Sequence, residues 1–206
     1  MRIALFPLNA VLFPGGLLPL RVFEARYMDM VRDCLRSGQP FGVNLITEGQ
    51  EVGQAAHCEA VGCLATIEDW DMQQFGVLQI RCRGGARFRI VERSVEPGGL
   101  LRAEVAPIAD DDDRPLAPEH TPCASLLRRI VEDRNAQAAA AGPADAPPAL
   151  PFTPPYRFES TVWVGNRLCE VLPVPLRAKQ KLMALEDAEA RLAIVSRYLK
   201  QHSVLK

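Results

Sequence analysis

Between Phe6 and Tyr27 the chain reads FPLNAVLFPGGLLPLRVFEARY, too apolar for a surface loop and too rich in proline and glycine for one regular element. Pro7, Pro14 and Pro19 each lack an N–H donor and fix φ, so the expectation is a chain that turns repeatedly while staying packed. A helix is expected from near Phe23, because Phe23, Tyr27, Met30, Val31, Cys34 and Leu35 recur at spacings of three and four, with Gly38 as its stop. A short strand, a glycine-bearing turn and this helix would together make an irregular hydrophobic wall.

Downstream of that wall the reading is mostly strand. Segments 2–6, 41–46, 62–70, 75–82, 86–95 and 101–106 are short and rich in β-branched and aromatic residues. Gly84-Gly85 and Pro97-Gly98-Gly99 read as turns between the last three, which predicts an antiparallel meander. Six short strands and one helix favour a partly closed antiparallel barrel, since closure removes edges.

After Pro107 the character changes. The Asp110 to Asp113 run, followed by Arg114 and Pro115, reads as a solvated linker without calcium-loop spacing. Thr121 is the expected cap of a helix with Pro122 at its first position and an apolar stripe of Leu126, Leu127, Ile130 and Val131 that fades at Asn135. Residues 136–155, with six prolines, read as an Ala/Pro-rich linker or flap. Three further helices are expected over 160–172, 175–185 and 187–202. In the last, Asp187 is the N-cap, Leu192, Ile194, Val195 and Leu199 form the buried face, and Arg191, Arg197 and Lys200 point outward. The expected organisation is an α+β chain: a β-rich unit over 1–109 and a helical bundle over 110–206.

Several blocks carry a family resemblance. They are Phe6-Pro7-Leu8, Leu12-Phe13-Pro14-Gly15, the run from Pro19 to Tyr27, Phe41-Gly42-Val43, the runs 62–67 and 85–90, and the run from Asp187 to Leu192. In this order they resemble the Lon N-terminal domain, the substrate-recognition part of the ATP-dependent protease La, which also occurs as a free-standing protein. The resemblance implies a PUA-like barrel and a role in polypeptide recognition, with an unfolded or specific polypeptide as partner and a separate protease or chaperone as co-worker. Residues 136–155 and 110–113 depart from the family pattern, which touches the helical half alone.

Chemistry is sparse. No glycine-rich phosphate loop occurs, and the six serines lie in no nucleophile-elbow context, so the resemblance carries recognition over and not proteolysis. His57, His120 and His202 stand apart from acidic or nucleophilic partners, and neither an enzyme activity nor a cofactor is expected. The six cysteines contain no C-x-x-C pair; His57, Cys58 and Cys63 come nearest to a metal cluster, without a second spaced pair, so no metal is expected. A net charge of -1 gives no global pull toward nucleic acid or anionic membrane. No stretch reaches the roughly 18 apolar residues of a membrane span, and prolines interrupt the N-terminal run where a signal peptide would need continuity, so a cytoplasmic location is expected.

The expected polypeptide site is an apolar groove formed by Phe13, Leu17, Leu18, Tyr27, Phe41 and Trp70, with proline-rigid loops holding side chains partly exposed. Glu24 and Arg87 are expected to pair as a structural clamp between helix and sheet. The competing reading is RNA binding by a strip of Arg81, Arg83, Arg87, Arg89 and Arg93, which alternate with apolar residues and so share a strand face.

Overall fold

The structure is a computed structural model that describes residues 1–141 and 147–205, Gln73 by its backbone alone. It divides into two compact units, residues 1–110 with 175–184, and residues 111–174 with 185–206.

The first unit is a mixed α/β structure around a ring of strands. β1 (Arg2–Leu8) pairs antiparallel with β7 (Leu101–Pro107), β7 with β6 (Val77–Val95), β6 with β5 (Val61–Gln74) and β5 with β3 (Phe41–Glu48). The ring closes because β3 also pairs with β1, in parallel, Leu5 opposite Gly42. An all-antiparallel sheet is therefore a correction: parallel neighbours need a crossover, and the segment carrying α1 (Ala25–Ser37) supplies it. Two strands stand off the ring, β2 (Leu17–Val22) on the first half of β6 and β4 (His57–Cys58) on β3.

β1 is apolar almost throughout because both of its faces are buried. Ile3 and Leu5 pack with Phe88, Leu101, Ala103 and Val105. Ala4, Phe6 and Leu8 pack with Tyr27, Met30 and Val31 of α1 and with Phe41 and Val43 of β3. α1 ends at Gly38, as its spacing predicts, with φ +69° and the Gly38 N–H on the Cys34 carbonyl. It begins two residues later than expected, which leaves Phe23 outside the helix and exposed and Glu24 at the cap position without a capping bond.

Two readings of the glycine and proline signals are corrected. Gly84-Gly85 makes no turn; it lies inside the 19-residue β6. A Cβ at Gly84 would fall inside the contact radius of the Phe13 carbonyl oxygen, so glycine here admits another backbone. Gly15 N–H donates to the Gly84 carbonyl and Gly84 N–H to the Gly16 carbonyl, both at 2.8 Å. Pro19 does not prevent a strand either, because β2 pairs on one side alone and a proline nitrogen is harmless on an open edge.

α4 (Leu176–Ala184) belongs to this first unit. Its buried Gln180 donates Nε2–H to the Val61 carbonyl at 2.9 Å.

The second unit holds α2 (Thr121–Ala140), α3 (Thr161–Val171) and α5 (Ala188–Gln201). α2 starts at Thr121, so Thr121 is not its cap, and it continues past Asn135 on alanines of high helix propensity. The expected linker over 136–155 is thus helical to Ala140; residues 142–146 fall outside the described residues; and Phe152 is buried, with its ring 5.6 Å from Trp163. Ser160 and Asp187 cap α3 and α5 through the N–H groups of Trp163 and Ala190.

The aspartate run is not merely solvated. Asp111 pairs with Arg191 at 2.7 Å, both side chains nearly sealed, and Arg191 also donates to the Leu185 carbonyl. Arg191 therefore points inward, contrary to the helix-face reading, because a buried carboxylate and carbonyl receive its donors. Ile194 of the same helix is exposed. Asp113 accepts from Ser160 Oγ at 2.7 Å and from Arg157 at 2.6 Å, which ties the run to the residues before α3.

Candidate functional site

Residues 6–13 and 17–23 share a composition and separate in space. Phe13 is 0% exposed beneath the crossing at Gly84, and Phe41 is 0% exposed behind α1; both are corrections to the expected groove. The Phe41 ring is consumed by the core, packed with Phe6 and Leu8 of β1 and with Tyr27, Met30 and Val31 of α1. Tyr27 is buried too, its ring stacked on Phe6 at 3.9 Å with the Arg26 guanidinium 4.5 Å above it. Burial pushes the Tyr27 phenol up, against the pull of Arg26, so the hydroxyl stays protonated.

Leu17 and Leu18 are half-buried on β2 and Trp70 is 56% exposed on β5. Leu20, Ile80 and Trp70 stand in one row across β2, β6 and β5, so Trp70 lies two strand spacings, about 10 Å, from Leu20. Of the six expected groove residues, the structure leaves Leu17, Leu18 and Trp70 reachable.

A hollow of about 330 Å³ opens beside β2. Phe6, Leu8 and Tyr27 form its apolar floor, Pro19 to Val22 one wall, and Phe23, Glu51 and Val52 its rim. Phe23 and Val52 are more than half exposed there. The sequence spacing places Phe23 at the start of α1; the helix begins later and leaves it outside. The loop carrying Glu51 and Val52 is pinned from two sides. Asn9 N–H donates to Glu51 Oε1 at 2.6 Å and Gly53 N–H to Glu24 Oε2 at 3.3 Å.

The expected Glu24–Arg87 clamp does not form. Glu24 pairs with Arg26 at 3.0 Å, whereas Arg87 is 2% exposed and donates to the Met183 and Ala109 carbonyls, each at 3.2 Å. Main-chain carbonyls from two distant segments thus meet Arg87's buried guanidinium.

The arginines of β6 do not form one open strip. Arg81 pairs with Asp69 at 3.3 Å, Arg83 with Glu68, and Arg93 lies 3.0 Å from His57 Nδ1, while Arg87 faces inward. Cys58 sits beside Arg93, and burial outweighs that cation in pushing its thiol up. Among the described residues no group of three His, Cys, Asp or Glu side chains could hold a metal ion. No described helix is long and apolar enough to cross a membrane.

A ring of strands flanked by an apolar hollow defines a mixed α/β domain. The family model of the ATP-dependent protease La (LON) substrate-binding domain matches residues 2–201, and the chain belongs to that family. It is similar to the crystal structure of a Lon N-terminal domain protein from Xanthomonas campestris, 35% identical with a TM-score of 0.75, covering 95% of this chain and 96% of that one. The N-terminal domain of a Mycobacterium avium complex Lon protease shares the fold at 15% identity and a TM-score of 0.62, covering 98% of this chain and all of that one. Among curated relatives, Lon protease 2 of Myxococcus xanthus is 27% identical and Lon protease of Anaeromyxobacter dehalogenans 25%. Each match covers 96% of this chain and 23% of the relative, so the chain spans about a quarter of their length.

Proposed function

We propose that this chain is a non-catalytic polypeptide-recognition module that binds unfolded or specific protein segments and works with a protease or chaperone in the cytoplasm. The observation that carries the reading is the hollow beside β2, with Phe23 and Val52 exposed on its rim and Leu20 half-buried along its wall. Apolar groups held in place by proline-stiffened backbone lose little freedom on binding, so their desolvation goes into affinity. Tyr27 remains in the proposed site as part of the floor of the hollow, Leu17 and Leu18 adjoin it on β2, and Trp70 is its outlying member; Phe13 and Phe41 leave it. On this reading the strand ring is a PUA-like barrel and α2, α3 and α5 form a helical bundle that begins near residue 110, with α4 kept in the strand-bearing unit.

The test is capture of a reduced, carboxymethylated protein that cannot refold. Phe23→Asp combined with Val52→Asp is expected to weaken capture at least tenfold with an unchanged melting temperature, since both side chains are exposed. Undiminished capture by the double variant overturns the reading.

A further inference from the structure

We propose that the guest enters as an extended strand, hydrogen-bonded to the open edge of β2, with one apolar side chain lowered into the hollow. The proposal rests on the recognition reading above and adds to it the geometry and chemistry of the guest.

β2 is bonded to β6 on one side alone. The Gly16 carbonyl accepts from Gly84 N–H, which fixes the side facing β6; by strand alternation Leu18, Leu20 and Val22 follow it, while Leu17, Pro19 and Arg21 turn their main-chain groups outward. Pro19 agrees independently, since a ring nitrogen without hydrogen is tolerated on the side that carries no ladder. Among the described residues nothing bonds to the main-chain groups of Leu17, Pro19 or Arg21 on that side. Leu17 and Arg21 thus each offer a donor and an acceptor, and Pro19 an acceptor.

The same segment, Pro19 to Val22, walls the hollow, so edge and hollow are continuous. A strand laid on this edge stands about 5 Å from β2 and alternates its side chains, which sends every second one toward the hollow. A space of about 330 Å³ holds one large apolar side chain with room to spare. The rim carboxylates are already answered, Glu24 by Arg26 and Gly53 N–H and Glu51 by Asn9 N–H, so neither calls for a basic guest. The occupant is therefore an extended segment with apolar residues at alternate positions and no basic residue among those that enter the hollow. A preformed helix does not fit it, because its main-chain groups are already bonded to one another.

The experiment uses the full chain and a short labelled peptide alternating threonine and valine around a central phenylalanine, followed by fluorescence anisotropy. Two variants of the peptide carry N-methyl groups on alternate amides, in the two opposite registers. One register is expected to bind about tenfold or more weakly than the unmodified peptide, and the other within about twofold of it, because only one set of amides faces β2. Arg21→Pro, which deletes an outward N–H, is expected to weaken the unmodified peptide while Arg21→Ala leaves it unchanged; should Arg21→Pro fail to fold, the N-methyl series decides alone.

Equal binding in both registers overturns strand addition while leaving the recognition reading intact, provided the carboxymethylated protein is still captured. No binding of either peptide or carboxymethylated protein overturns both. A concentration-dependent dimer abolished by Arg21→Pro assigns the edge to a second copy of this chain and overturns the peptide guest.

Discussion

Residues 6–13 and 17–23 are equally apolar and meet opposite fates: Phe6, Leu8, Leu12 and Phe13 are sealed, while Leu17, Leu18 and Leu20 lie half-open and Phe23 stands in solvent. The turn at Pro14 to Gly16 separates them, and the crossing over Gly84 pins the first set beneath the second. The difference teaches that hydrophobicity does not by itself locate a docking surface. Being paired on both sides, as β1 is by β3 and β7, is what closes a strand, and β2 lacks a second neighbour.

The largest expected contrast is in stability. Phe13→Ala should cost about 3–5 kcal/mol through cavity formation, and Phe23→Ala less than about 0.5 kcal/mol, both read from urea unfolding. Similar losses would break the comparison.

Gly84→Ala comes next, at about 1–3 kcal/mol, because the new methyl must displace the Phe13 backbone. Gly98→Ala is its control, since a Cβ there meets nothing within 4 Å.

The third measurement sharpens the comparison at the inner side of β2, where Cys82 lies opposite Leu18. Burial, with Cys34 and Glu68 adding to it, raises the Cys82 thiol from 9.0 to about 12. The folded state therefore holds a proton that the unfolded state releases. Its contribution is fully present below pH 9.0 and declines as pH rises toward about 12, by about 1.4 kcal/mol per pH unit. Cys82→Ala should flatten the alkaline arm of the stability curve, and an unchanged slope would mean that β2 does not cover the thiol.

The smallest effect is Leu17→Ser, expected within about 0.5 kcal/mol of the unmodified protein. A larger loss would place Leu17 with the sealed set.

Local signals were readable in the sequence wherever one segment settles its own structure. The Gly38 stop, the Asp187 cap and the apolar runs of β1 and β3 are of that kind. What escaped depends on partners far along the chain. Arg87 and Arg191 look like surface cations until Met183, Ala109 and Asp111 are brought to them. Gly84-Gly85 looks like a turn until the Phe13 backbone arrives. The Leu-rich stretch reads as one open surface, but register, absent from composition, leaves only its second half partly exposed.

The placement of α4 bears on how the chain is made. Val61 and Arg87 leave the ribosome long before Gln180 and Met183, the groups that answer them in the first unit. During synthesis Val61 and Arg87 wait for their α4 partners while the residues of α2 and α3 are already made. A gene fragment ending after Asp110 would encode every strand and yet freeze the nascent chain at that unfinished stage, so expression of the ring alone calls for supplying residues 175–184 as well.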